Sequence, residues 1–294
     1  PLLLDELLDA RVIGQRMDSL DLPGQIEELM KHHGEDAETA LLALNEFKIS
    51  YTFKIAYQFL FQGLPAVQAS RLLTLLAELI LQRCNELAGR ELQLQHGAVA
   101  GSSFAVIGYG SLGARTLAFN SDLDLVFLNQ APGQSASDGK RPIDASRFFL
   151  RQAQKLISLL GLSTPSGSLY EVDIRLRPDG AKGLLVSSME SFEQYQKQRA
   201  WTWELQALVR ARAVAGQRLD AAHASGRAGF SNNMHEADVA STTHVGAAAQ
   251  FDRPRLVRTI DVVRQAHRDD TNLVAVFFTE QRHGAGFARV FQTH

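Results

Sequence analysis

The hydrophobic positions divide the chain into a helical front, a centre of short alternating runs and an aperiodic end. Pro1 to Asp9 (PLLLDELLD) reads as a short amphipathic helix that docks on something, and Leu22 to His33 as a second one closing near Gly34. From Ala37 a longer helix is predicted, with Leu42, Ile49, Phe53, Ala56 and Leu60 as its apolar stripe and Gly63 as its stop. Ser70 is the expected N-cap of a third helix, whose stripe is Leu72, Leu75, Leu76, Leu79, Ile80 and Leu87 and which fades by His96. The adjacent His32 and His33 would not face one metal from a helix and are placed on the surface.

The period then changes. Phe104 to Gly108 reads as a buried strand, Gly110 to about Phe119 as a short helix, and Ser121 to Leu128 as a second strand. Asn129 to Arg141, rich in Gly, Ser, Ala and Pro, is predicted to be an exposed, mobile loop. Arg147 to Leu160 is an amphipathic helix. Leu169 to Arg177 alternates Tyr170, Val172, Ile174 and Leu176 against Glu171, Asp173, Arg175 and Arg177, as a strand does. Leu184 to Val186 is a short strand that would pair back on it as a hairpin. Helices are expected from Met189 to Lys197 and from Trp201 to Arg212, with Trp201 and Trp203 packed in a core and Arg210 and Arg212 near one helix end. Beyond Gly216, residues 221–250 have no period and are expected to be poorly ordered; Leu256 to Ala266 reads as a helix and Leu273 to Thr279 as a strand.

Composition narrows the classes. With 294 residues, 30 basic against 32 acidic and 45% apolar, the chain is an ordinary globular one with no basic excess for nucleic acid and no membrane-spanning run. The single Cys84 allows no internal disulfide, suits a reducing cytoplasm and falls in an apolar helical pattern, as a packed thiol would. The start at Pro1 reads as a piece of something longer.

The candidate chemistry lies on the second strand. Asp122 and Asp124 project from the same face of a strand, about 7 Å apart along it, where two carboxylates can share a hard cation such as Mg²⁺. The plain alternative is a pair of solvated edge aspartates. Against it, Leu123, Leu125 and Phe127 make one face apolar while Val126 and Leu128 continue the other, as in a central strand. Upstream, Gly108, Gly110 and Gly113 match G-x-G-x-x-G, but only about two helical turns fit before Asp122, too few for the crossover helix of a dinucleotide site. The same stretch offers phosphate contacts instead: the backbone of Gly110, the Ser111 hydroxyl and, next to the aspartates, Ser121. Downstream, Asp173 would complete a carboxylate triad able to hold two Mg²⁺ ions, with Arg175 and Arg177 for a triphosphate or to offset the carboxylates. The alternative for Asp173 is an ion pair with one of these arginines; Glu171 is an outer ligand or merely exposed.

A Gly-Ser pair, ten residues, then Asp-Leu-Asp in a strand resembles the nucleotidyltransferases related to DNA polymerase beta. Four stretches resemble, more narrowly, the C-terminal adenylylating half of the bacterial glutamine synthetase adenylyltransferase family. They are PLLLDELLD at 1–9, FAVIGYGSLGARTLAFNSDLDLVFL at 104–128, SLYEVDIRLRPDGAKGLLVS at 168–187 and AWTWELQALVRARAVAG at 200–216. The resemblance implies an α+β fold. A helical segment (1–98) would precede a nucleotidyltransferase core, a small mixed sheet with flanking helices (99–216), and a divergent tail (217–294) would follow.

It also implies Mg²⁺-dependent transfer of AMP from ATP to a tyrosine hydroxyl of glutamine synthetase, releasing pyrophosphate, in the cytoplasm. Asp122, Asp124 and Asp173 would be the metal-binding catalytic residues, with Asp173 helping to deprotonate the tyrosine. Ser111 and Ala114 stand where the family commonly has Lys and Gly, and Leu205 where it often has His. The tail lacks the family's Gly-Gly-x-x-Asp-Ile-Glu-Phe type motif; a frame-shifted end would explain that and would put the response to a PII-type signal protein in doubt. Two other functions stay open on these residues: an inactive module that binds ATP or glutamine synthetase without turnover, and a nucleotidyltransferase with another hydroxyl acceptor.

Overall fold

The structure, a computed structural model, describes residues 21–33, 36–165 and 167–217, and the backbone of 278–282 and 285–289. The predicted helices at Pro1–Asp9 and Leu256–Ala266 and the aperiodic 221–250 lie outside the described residues. The described residues fall into two compact units, one within 1–192 and 210–219 and the other within 193–209 and 220–294.

In the first unit, α1 (Leu22–His33) leads to α2 (Ala37–Phe61) and α3 (Ala66–His96). Asp36 caps α2, its carboxylate accepting from the Thr39 N–H at 2.9 Å. The buried face of α2 is not the predicted stripe: Ala40, Leu41, Leu44, Tyr51 and Ile55 are inside, while Leu42 and Leu60 are exposed. This helix is apolar nearly all round, so its 3.6-residue period does not choose a face; packing does. α3 begins a turn before the expected Ser70, at Ala66, with Pro65 in extended conformation (φ −61°, ψ 142°) as its N-cap. Ser70 is inside it, its carbonyl accepting from the Thr74 hydroxyl. The loop expected to be mobile is pinned to the end of α3: Asp138 N–H donates to Ala98 O at 3.0 Å, Gly139 N–H donates to His96 O at 2.8 Å, and Ser137 is buried.

The sheet runs β3 (Val172–Asp173), β2 (Leu123–Gln130), β1 (Ser103–Gly108), β5 (Arg212–Gly216), with β4 (Val186–Ser188) also paired to β2. β1 (Ser103–Gly108) and β2 (Leu123–Gln130) are antiparallel, with Val106 opposite Phe127. Both β3 (Val172–Asp173) and β4 (Val186–Ser188) lie parallel to β2, along its first and last residues respectively. β2 is therefore the central strand, hydrogen-bonded on both edges, and Leu123, Leu125, Val126, Phe127 and Leu128 are all buried. α5 (Ala145–Gly161), capped by Asp144, stacks Phe149 on Phe104 with ring centroids 5.7 Å apart. One continuous core joins this face of the sheet to α1, α2, α3 and α5. The architecture is α+β with a small mixed sheet.

Four local expectations give way. The predicted strand 169–177 keeps only two residues as strand, because Asp173 Oδ1 accepts the Arg175 N–H at 2.8 Å and the backbone turns there. β4 pairs with β2 and not back on that segment. The helix expected to reach Arg212 is α7 (Thr202–Leu208), after α6 (Met189–Gln198); Arg212 opens β5 (Arg212–Gly216), antiparallel to β1. In the second unit, Trp201 and Trp203 are 69% and 52% exposed, so they are not core residues. The buried group there is Glu204, whose carboxylate accepts from the Tyr195 hydroxyl at 2.9 Å and from the Trp201 N–H at 2.7 Å. β6 (Phe278–Arg282) and β7 (Ala285–Arg289) form an antiparallel hairpin; of the strand predicted at Leu273–Thr279, only Phe278 and Thr279 are described.

Candidate active site

The site forms where β1 ends, β2 begins and β3 adds its two residues. In the parallel ladder Asp124 is the register partner of Asp173, so both carboxylates leave the same face of the sheet. That face is opposite to the one carrying Leu123, Leu125 and Phe127 into the helical core. Asp122, just before β2, is exposed and shares this side by alternation. Asp124 is half-buried. Its carboxyl is pushed above the usual range, first by burial, then by the negative charges of Asp122 and Asp173.

The glycine stretch closes over Asp124. Tyr109 N–H donates to Asp124 O at 2.9 Å, holding the start of the four-residue helix α4 (Gly110–Gly113) against β2. Gly110 has φ +52°, and a Cβ there would lie 2.2 Å from Asp124 Oδ2. Only glycine gives this carboxylate its room. A Cβ on Gly113 would lie 1.7 Å from Arg210 O, so this glycine admits the chain leading into β5. Antiparallel β1 and β2 joined by one helical turn do not form the parallel crossover unit of a dinucleotide fold.

The other predicted residues divide. Ser111, in α4, is half-buried, and its hydroxyl has no hydrogen-bond partner among the described residues. Ser121 Oγ accepts from Ala118 N–H at 3.0 Å and shapes the turn that delivers Asp122. Arg175 folds back on Asp173, Nε donating to both carboxylate oxygens at 3.0 and 2.8 Å and Nη2 pairing with Oδ2. These bonds hold the Asp173 carboxyl below the usual range. Arg177 faces the turn that follows: its guanidinium donates to Ile174 O at 2.6 Å, Ala181 O at 3.0 Å and Gly183 O at 3.3 Å. Glu171 is exposed, and its carbonyl accepts from Leu123 N–H at 2.9 Å.

Arg212 is a residue whose part the sequence pattern does not show. From β5 it pairs with Glu78 of α3 and donates to Leu112 O at 3.1 Å and Gly113 O at 3.4 Å. It thereby ties the end of α4, and so the glycine stretch, to a long helix. An arginine read as a helix end gives no signal of this; it depends on β5 pairing with β1.

All three aspartates supply hard oxygen donors; the Asp124 carboxyl is raised first by burial and then by the neighbouring charges of Asp122 and Asp173. Among the described residues no group of three His, Cys, Asp or Glu side chains is placed to hold a metal ion, and Asp173 is paired with Arg175. Carboxylate oxygen is nonetheless the donor type that Mg²⁺ takes.

The glutamate-ammonia ligase adenylyltransferase family model matches residues 1–226. The chain belongs to this family. The bifunctional glutamine synthetase adenylyltransferase/adenylyl-removing enzyme of Xanthomonas oryzae pv. oryzae is 52% identical over 217 residues, 74% of this chain and 23% of that protein. The enzymes of the same name from Stenotrophomonas maltophilia (strain K279a) and Shewanella frigidimarina are 48% identical over 217 residues and 46% identical over 222 residues, with the same coverage of both chains. The chain thus spans about a quarter of the length of these relatives.

Proposed function

We propose that this chain transfers AMP from ATP to a tyrosine hydroxyl of glutamine synthetase and releases pyrophosphate. The observation that carries the reading is the in-register pair Asp124 and Asp173 beside a glycine that makes room for the Asp124 carboxylate. Family membership supports the reaction class, and the relatives' names support glutamine synthetase as the acceptor.

In the proposed reaction the tyrosine oxygen bonds to the α-phosphorus. The bond from that phosphorus to the α–β bridging oxygen breaks, and the electron pair leaves with pyrophosphate. Asp122, Asp124 and Asp173 would hold Mg²⁺, which when bound supplies positive charge to the phosphates and makes a phenolate easier to form. A tyrosine hydroxyl has a pKa near 10, so its proton needs an acceptor. Asp173, in register with Asp124 on the same face of the sheet, is the proposed acceptor. Gly110 leaves the Asp124 carboxylate its place, and the Ser111 hydroxyl of α4 would donate to phosphate oxygens.

The experiment is incubation of the purified chain with glutamine synthetase, Mg²⁺ and ATP labelled at the α-phosphate. Label on a tyrosine of glutamine synthetase supports the reading. ATP binding without transfer would favour the inactive module, and label on a small-molecule hydroxyl another acceptor.

A further inference from the structure

The two arginines that follow Asp173 are held in different ways. Arg177 is half-buried and locked by three backbone carbonyls of its own turn. Arg175 is held by one side chain only, that of Asp173, and its own side chain is 81% exposed against 13% for the aspartate. Arg175 can swing into solvent without disturbing any core contact. The backbone of Asp173 stays in place, paired in register with Asp124. The guanidinium covers both Asp173 oxygens, the lone pairs a metal ion would need.

Resting on the metal-site reading above, we propose that Arg175 is a positioning residue that occupies Asp173 as a counterion until a nucleoside triphosphate takes its guanidinium. A guanidinium and a divalent cation compete for the same carboxylate, so without nucleotide the arginine weakens metal binding at Asp173. A triphosphate offers the guanidinium paired anionic oxygens of higher charge than one carboxylate. When Arg175 moves to it, Asp173 is released to metal, so nucleotide and metal enter together. The negative charge of the site stays offset in both states.

The test uses Arg175→Gln in the full chain, with Mn²⁺ as a spectroscopic substitute for Mg²⁺ and a non-hydrolysable ATP analogue. Without nucleotide, the variant should bind Mn²⁺ about two- to fivefold more tightly than the parent, the range an exposed ion pair supports. With metal present, it should bind the ATP analogue about tenfold more weakly, for the lost charge-assisted contact. The opposite signs are the signature, because a purely structural role would weaken both ligands together. Unchanged or weaker Mn²⁺ binding by Arg175→Gln, with circular dichroism confirming the fold, overturns the counterion role. Asp173→Asn separates the two readings. If it leaves Mn²⁺ affinity unchanged, the metal site itself is refuted and the counterion role with it. If it weakens Mn²⁺ while Arg175→Gln does not strengthen it, only the counterion role falls.

Discussion

Replacing Gly110 by alanine probes the site through its backbone, and Gly63 supplies the matched control. Both glycines have positive φ, +52° and +72°. An alanine in the left-handed region costs about 1–2 kcal/mol at either position. The surroundings differ. A Cβ at Gly63 would meet nothing within 4 Å, whereas one at Gly110 would lie 2.2 Å from Asp124 Oδ2. The carboxylate must then rotate away, which adds about 0.5–1.5 kcal/mol if it leaves its rotamer well. For a unit of this size each kcal/mol lowers Tm by about 2–4 °C. Gly63→Ala should therefore lose about 2–8 °C and Gly110→Ala somewhat more. The decisive difference is in Mn²⁺ binding, which Gly110→Ala should weaken at least about tenfold and Gly63→Ala should leave alone, as the first displaces a ligand and the second does not. Thermal unfolding by circular dichroism with Mn²⁺ titration reads both. Equal Mn²⁺ affinity in the two variants would refute the claim that Gly110 exists to seat the Asp124 carboxylate.

Asp124→Asn removes a half-buried charge that two neighbouring carboxylates repel, so in chelator it should raise Tm by about 1–3 °C; added Mg²⁺ should then raise the parent's Tm and not the variant's. Arg177→Ala deletes three bonds to backbone carbonyls and should cost about 1–3 kcal/mol, measured by urea unfolding, and lysine should restore little because it lacks the planar fork. Burial pushes the Cys84 thiol up from 9.0 to about 12, so the native chain should resist thiol reagents at pH 8 and react once unfolded. Because that pKa is raised on folding, the stability it contributes is fully present below pH 9 and lost as pH rises toward about 12; Cys84→Ala should flatten this alkaline decline in unfolding curves.

The central strand was legible because its signal is local. Two aspartates on alternate positions, followed by residues apolar on both faces, describe a strand paired on both edges, and β2 is one. Signals that depend on partners misled. The 169–177 alternation survives only to Asp173, where a side chain satisfies the backbone N–H a longer strand would have paired. Arg212–Gly216 (RAVAG) has little strand character of its own and owes its conformation to β1. α2 hid its buried face because nearly every face is apolar. In the site, the residue types and order pointed to the three aspartates and the glycine stretch. No sequence pattern distinguishes Arg175, bound to Asp173, from Arg177, bound to carbonyls two residues later.

The carboxylates of Asp122, Asp124 and Asp173 are proposed to form the AMP-transferring centre of this chain. The most direct measurement is incorporation of α-phosphate label into glutamine synthetase by the parent and by Asp122→Asn, with matched circular dichroism spectra. The parent should label glutamine synthetase in a Mg²⁺-dependent way, and the equally folded variant should not. Labelling by Asp122→Asn at the parent's rate would contradict the proposal.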